Sequence, residues 1–99
     1  MERPLESEPE HLKCRYWRSE IVKMTKAQVA QLTGFSVSSI TDIENGENRS
    51  TKKAIDKQVM KRYRMACASV SLAADFTWLD ISLDTDMPVK MRMSMWMRR

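Results

Sequence analysis

Histidine, glycine and cysteine are scarce in this 99-residue chain, and each scarcity excludes a class of chemistry. There is one histidine, His11, in a polar stretch where it reads as an ordinary surface residue. No serine or cysteine has a base beside it, and the carboxylates form no recognisable pair, so no nucleophilic or acid–base constellation can be assembled. The two glycines, Gly34 and Gly46, are too few for a phosphate-cradling loop. Cys14 and Cys67 stand far apart, at no metal-ligand spacing. They read as reduced, buried small hydrophobes, with a redox switch as the alternative. No run of eighteen apolar residues exists to span a membrane, and the acidic start MERPLESEPE lacks the apolar core of a signal peptide. The expectation is a cytoplasmic protein that is not an enzyme and needs no metal or cofactor. At this length it is one domain at most, able to bury about 60–65% of its unfolded surface.

What is present is charge, unevenly placed. The net charge is +4, yet residues 1–10 hold four glutamates against one arginine, so they carry −3 and the remainder +7. Between positions 49 and 64 stand Arg49, Lys52, Lys53, Lys57, Lys61, Arg62 and Arg64, against Asp56 alone. A charge run is usually just a solvated face. Beside a helix that reads DNA, it is an electrostatic footprint.

The stretch from Lys26 to Gly46, KAQVAQLTGFSVSSITDIENG, reads as two short helices joined at a glycine. Val29 and Ala30 supply an apolar residue and then a small one where two helices cross at roughly 90–120°. Gly34 can take a positive φ, ending one helix while leaving room for the next. Ser36 is a good N-cap, Ile40 and Ile43 form a buried ridge, and Asn45-Gly46 closes the second helix. Ser36, Ile40, Ile43, Glu44 and Gly46 stand at the spacing Ser-x-x-x-Ile-x-x-Ile-Glu-x-Gly. In this pattern the chain resembles the Cro/repressor-type (XRE-like) helix-turn-helix family of DNA-binding proteins, over about residues 10–80. The resemblance implies an all-α fold, a compact lambda-repressor-like bundle of four or five helices. It also implies that double-stranded DNA is the partner and that the protein binds as a homodimer. Relatives often pair an arginine of the first helix with the glutamate that here is Glu44, which makes Arg18 the candidate for a structural ion pair.

With Ile40 and Ile43 inward, the opposite face of the second motif helix presents Ser38, Thr41, Asp42 and Asn45, with Val37 at its tip. Such helices put their N-terminal residues against base edges. Asparagine can bond adenine, serine and threonine can bond several bases, and Val37 can pack on a thymine methyl. No arginine or glutamine occupies the face, and Asp42 carries the wrong sign near DNA. It can accept from a cytosine amino group or orient a neighbouring lysine. Lys26, where many relatives have glutamine, can reach a phosphate without the bridging bonds of an amide. Asn48, Arg49, Ser50, Lys52 and Lys53, in the polar loop from Gly46 to Ile55, are expected to contact phosphate, or else to form a solvated loop.

Around the motif, residues 1–8 are expected to be disordered and the DNA-binding domain to cover 9–80. A first helix should begin near Pro9 with Cys14, Trp17, Ile21 and Met24 on its apolar face. Asp56 should cap a fourth helix running to about Ala73, with Val59, Tyr63, Ala66, Cys67 and Val70 inward and Lys57, Lys61 and Arg64 on a basic back. Asp75 to Leu79 reads as a short helix or turn whose Phe76 and Trp78 cap the core. In the Met/Arg-rich tail, 84–99, the period changes to two after Pro88. Val89, Met91, Met93, Met95 and Met97 would line one side of a C-terminal β-strand pairing with its copy, a disordered basic tether being the alternative.

These features point to a sequence-specific regulator of bacterial, phage or prophage type, acting as a repressor. The alternative is an antitoxin-like module that binds a toxin or other partner protein and only secondarily DNA.

Overall fold

The computed structural model describes residues 1–74, 78–79 and 89–97. Its described residues form five helices: α1 (Glu10–Tyr16, continued by a π-helical turn at Trp17–Ile21), α2 (Lys26–Thr33), α3 (Val37–Asn45), α4 (Lys57–Ser71) and α5 (Val89–Met97). The all-helical bundle expected from the sequence is the fold observed.

Pro9 precedes α1, and Glu10 occupies the first turn, where the helix dipole favours an acid. The acidic N-terminus, read from sequence as disordered, has local contacts of its own. Leu5 N donates to Glu8 Oε2 at 2.8 Å, and Lys13 Nζ donates to the Glu6 carbonyl at 2.6 Å. Within the π turn, Val22 N reaches back five residues to the Trp17 carbonyl at 2.9 Å. That wider turn slips the helical phase by about one residue. Cys14, Trp17 and Met24 pack against the core as the period requires, but Ile21 is 56% exposed and half-buried Val22 follows it. The inward position assigned to Ile21 is therefore corrected.

Thr25 caps α2 through a reciprocal box: its hydroxyl accepts from Gln28 N, and Gln28 Oε1 accepts from Thr25 N at 2.9 Å. Gly34 ends α2 at φ 83°. A β-carbon there would meet nothing within 4 Å, so the cost of replacement is conformational alone. Gly34→Ala should lower stability by about 1–2 kcal/mol and Gly34→Asn by less, since asparagine tolerates the left-handed region. Urea midpoints of the two variants check this. An alanine variant as stable as wild type would mean the backbone relaxes out of the left-handed region.

Ser36 caps α3, accepting from Ser39 N at 3.0 Å. Ile40 and Ile43 are fully buried, joining Val29 of α2 and Tyr63 and Cys67 of α4 in one core. Phe35 meets the Tyr63 ring edge-on at 5.2 Å between centroids. Burial pushes the Cys14 thiol up to about 12 and raises Cys67 and the Tyr63 phenol too, so both cysteines stay protonated, as packed apolar groups do. Asp56 caps α4 by accepting from Gln58 N at 2.7 Å.

Two expectations toward the C-terminus are corrected. Trp78 and Leu79 are 85% and 95% exposed and do not cap the core; Asp75, Phe76 and Thr77 lie outside the described residues. Residues Val89–Met97 form a helix, not a strand. The alternation misled because β propensity rests on branched and aromatic side chains, and this stretch has only Val89 and Trp96 of those. Methionine, lysine and arginine are good helix formers. The remainder of the tail, residues 84–88 and 98–99, lies outside the described residues.

Candidate nucleic-acid interface

The helix α3 is fixed from three sides. Its isoleucines enter the core, its last residue meets Gly46 at φ 75°, and its Glu44, 3% exposed, is clamped by Arg18. Arg18 donates Nε to Glu44 Oε2 at 2.5 Å and Nη2 to Oε1 at 3.0 Å, while Nη1 donates to the Met24 carbonyl at 2.8 Å. The hydrogen bonds to Glu44 raise the guanidinium above its ordinary pKa, against the opposing effect of burial. The pairing of Arg18 with Glu44 is the one expected. It ties the π turn to the C-terminal turn of α3.

On the outward face, Val37, Ser38 and Asn45 are exposed, and Thr41 and Asp42 are half-buried. The Thr41 hydroxyl donates to the Val37 carbonyl at 2.9 Å, so its lone pairs remain for a base amino group. Asp42 has a basic neighbour, an arginine from the loop. Arg49 returns from the loop to place Nε 2.7 Å from Asp42 Oδ1. The approach is off the hydrogen-bonding direction, so the contact is an ion pair and that oxygen has no aligned donor. The expectation that no arginine lies on this face is therefore corrected, as is the alternative of a lysine beside Asp42.

The loop geometry explains the return. Asn48 Oδ1 accepts from Ser50 N at 2.9 Å and Thr51 N at 3.1 Å, forming an Asx-type turn. Lys52, at φ 61°, donates its N–H to the Asn48 carbonyl, and one antiparallel bridge joins Glu47 to Ala54. Asn48 thus builds the loop with the oxygen end of its amide. Ser50, Lys52 and Lys53 are exposed on the loop, and Lys26 sits half-buried in the first turn of α2. Along α4, Lys57, Lys61 and Arg64 are exposed, and Arg64 pairs with Glu10 of α1 at 2.5 Å. Among the described residues, no ion pair forms at Lys52, Lys53, Lys57, Lys61 or Arg62. These five charges stand on the loop and the helix that follow α3.

His11 is not the ordinary surface residue expected. Its ring lies over Gly46, where a β-carbon would come within 2.8 Å of Nδ1. Sequence spacing held no signal for that contact, since it joins α1 to the end of α3 across 35 residues.

Residues 20–58 match the family model described as helix-turn-helix. Over this span the chain is similar to the helix-turn-helix of Cro/repressor-type proteins. The matched span of this helix-turn-helix opens in the π turn and closes in the first turn of α4, so it includes α2, α3 and the whole basic loop. No curated protein and no solved structure matches the chain. The helix-turn-helix marks a DNA-binding regulator. No helix among the described residues is long and apolar enough to cross a membrane.

Proposed function

We propose that this helix-turn-helix protein is a sequence-specific transcriptional regulator of bacterial, phage or prophage type. It acts in the cytoplasm as a homodimeric repressor on double-stranded DNA, occupying a two-fold symmetric site. The observation that carries the proposal is the juxtaposition of two surfaces. A polar face on α3, with Ser38, Thr41 and Asn45, is backed by the core, and the loop that follows it carries the exposed cations Lys52 and Lys53. Side chains on such a face read base edges, and cations beside it bind phosphate without reading sequence.

The two roles predict different responses. Ser38→Ala, Thr41→Ala or Asn45→Ala should each cost roughly 1–3 kcal/mol on the preferred site and little on random duplex. Lys52→Ala or Lys53→Ala should weaken both kinds of DNA about equally and reduce the salt dependence by about one unit of log–log slope per lost contact. Anisotropy titrations at several salt concentrations measure both. The opposite pattern would falsify the assignment of α3 as reader.

A second function has one observation in its favour. An apolar groove of about 450 Å³ lies between α1 and α4, lined by Cys14, Trp17, Met60 and Cys67 among others, and could seat a partner protein. In that antitoxin-like role, a stoichiometric small protein would co-purify and DNA binding would be secondary.

A further inference from the structure

Arg49 belongs to the loop in sequence but to α3 in space. Its Nε is engaged by Asp42, whose side chain is only 15% exposed, and its Nη2 reaches toward the Ser38 carbonyl at 3.5 Å, a long and replaceable contact. The guanidinium therefore lies along the outward face of α3 from position 42 toward position 38. That is the middle of the helix, next to the N-terminal half that meets base edges when such a helix enters the major groove. A guanidinium has five N–H groups in a rigid fork. With Nε in ion-pair contact with Asp42, exchanging the long Nη2 contact to Ser38 leaves the outer Nη1 and Nη2 edge to offer two parallel donors. Guanine is the base that presents two acceptors, O6 and N7, on its major-groove edge.

We infer that Arg49 reads a guanine in the major groove, with Asp42 as its positioning residue. This rests on the proposal that α3 is the DNA reader, and goes beyond it by moving Arg49 from the phosphate-anchoring loop to the base-reading set. It also gives Asp42 a role. A carboxylate on this face repels phosphate, and holding the arginine in register is what offsets that repulsion. Lysine cannot substitute, because an ammonium is a point charge without the fork.

The test uses the full chain. Sites are selected from a random duplex pool with the wild type. The wild type, Arg49→Ala, Arg49→Lys, Asp42→Asn and the Asp42→Asn/Arg49→Ala double variant are then titrated. The duplexes are the selected site, the same site with each G·C pair replaced in turn, and an unrelated sequence. The wild type should lose roughly tenfold to a hundredfold in affinity when one G·C pair per half-site is replaced. Arg49→Lys should bind the two versions of that site within about twofold, while keeping its affinity for unrelated DNA.

Asp42→Asn separates positioning from charge. Removing a negative charge near phosphates should leave binding to unrelated DNA unchanged or tighter. Discrimination at the G·C pair should nevertheless fall several-fold, and the substitution should add nothing once Arg49 is alanine. If Arg49→Lys keeps full discrimination, or Asp42→Asn tightens every duplex equally, Arg49 is a phosphate anchor and the inference is wrong, with α3 still the reader. If the wild type selects no site at all, the proposed function fails and the inference with it.

Discussion

Arg18→Ala is expected to lower stability by about 3–5 kcal/mol, a large share of the 5–15 kcal/mol typical of a single domain. Both charges are withdrawn from water, with side-chain exposures of 12% for Arg18 and 2% for Glu44, so solvent screening discounts little. Removing the arginine strands a buried carboxylate that has no other described donor, and also frees the Met24 carbonyl. The cost is thus mostly the penalty of the abandoned charge, not the net worth of the pair. A double variant, Arg18→Met with Glu44→Leu, should recover much of the loss, because it removes both charges while filling the space. Urea unfolding followed by circular dichroism measures all of these. A loss below about 1 kcal/mol for Arg18→Ala would show that water reaches the pair.

Gly46→Ala is expected to be the second most damaging change, at about 2–4 kcal/mol. Two costs add at this position. The left-handed backbone at φ 75° penalises any β-carbon by about 1–2 kcal/mol. The new methyl also meets the His11 ring at 2.8–2.9 Å, so the ring must move, at a cost of about 1–3 kcal/mol. The two parts can be separated by His11→Ala, which should restore the steric share of Gly46→Ala and leave the backbone share. The remaining deficit should then match that of Gly34→Ala, where no atom lies within 4 Å of the added carbon. Thermal melts of the single and double variants close the cycle. Equal deficits with and without the histidine would mean that the ring swings aside without cost.

What was legible in the sequence was what neighbouring residues decide. The Ser36 and Asp56 caps and the two helix-ending glycines each need only residues within four positions, and each stands where the pattern placed it. The inward ridge of Ile40 and Ile43 followed from helical period alone. The Arg18–Glu44 pair came through the family resemblance, since nothing in spacing joins positions 26 residues apart. The misreadings have physical causes as well. Ile21 was placed inward by a 3.6-residue period that the π turn interrupts. The Arg49–Asp42 contact was not anticipated, because an Asx turn at Asn48, which aims the loop back, leaves no mark in charge or hydropathy. Methionine alternation in Val89–Met97 suggested a strand where residue propensities favoured a helix.

The Asp42–Arg49 ion pair also changes when entropy is lost. A free arginine side chain carries about 2 kcal/mol of rotamer entropy, and a flexible one surrenders it at the moment of binding. Here part of that ordering is already present in the unbound molecule, since Asp42 holds the near end of the guanidinium beside α3. The pair is partly exposed, so the restraint is partial, with Arg49 55% exposed. Whatever ligand Arg49 meets encounters a side chain that folding has already oriented, and correspondingly less of the contact energy goes into immobilising it.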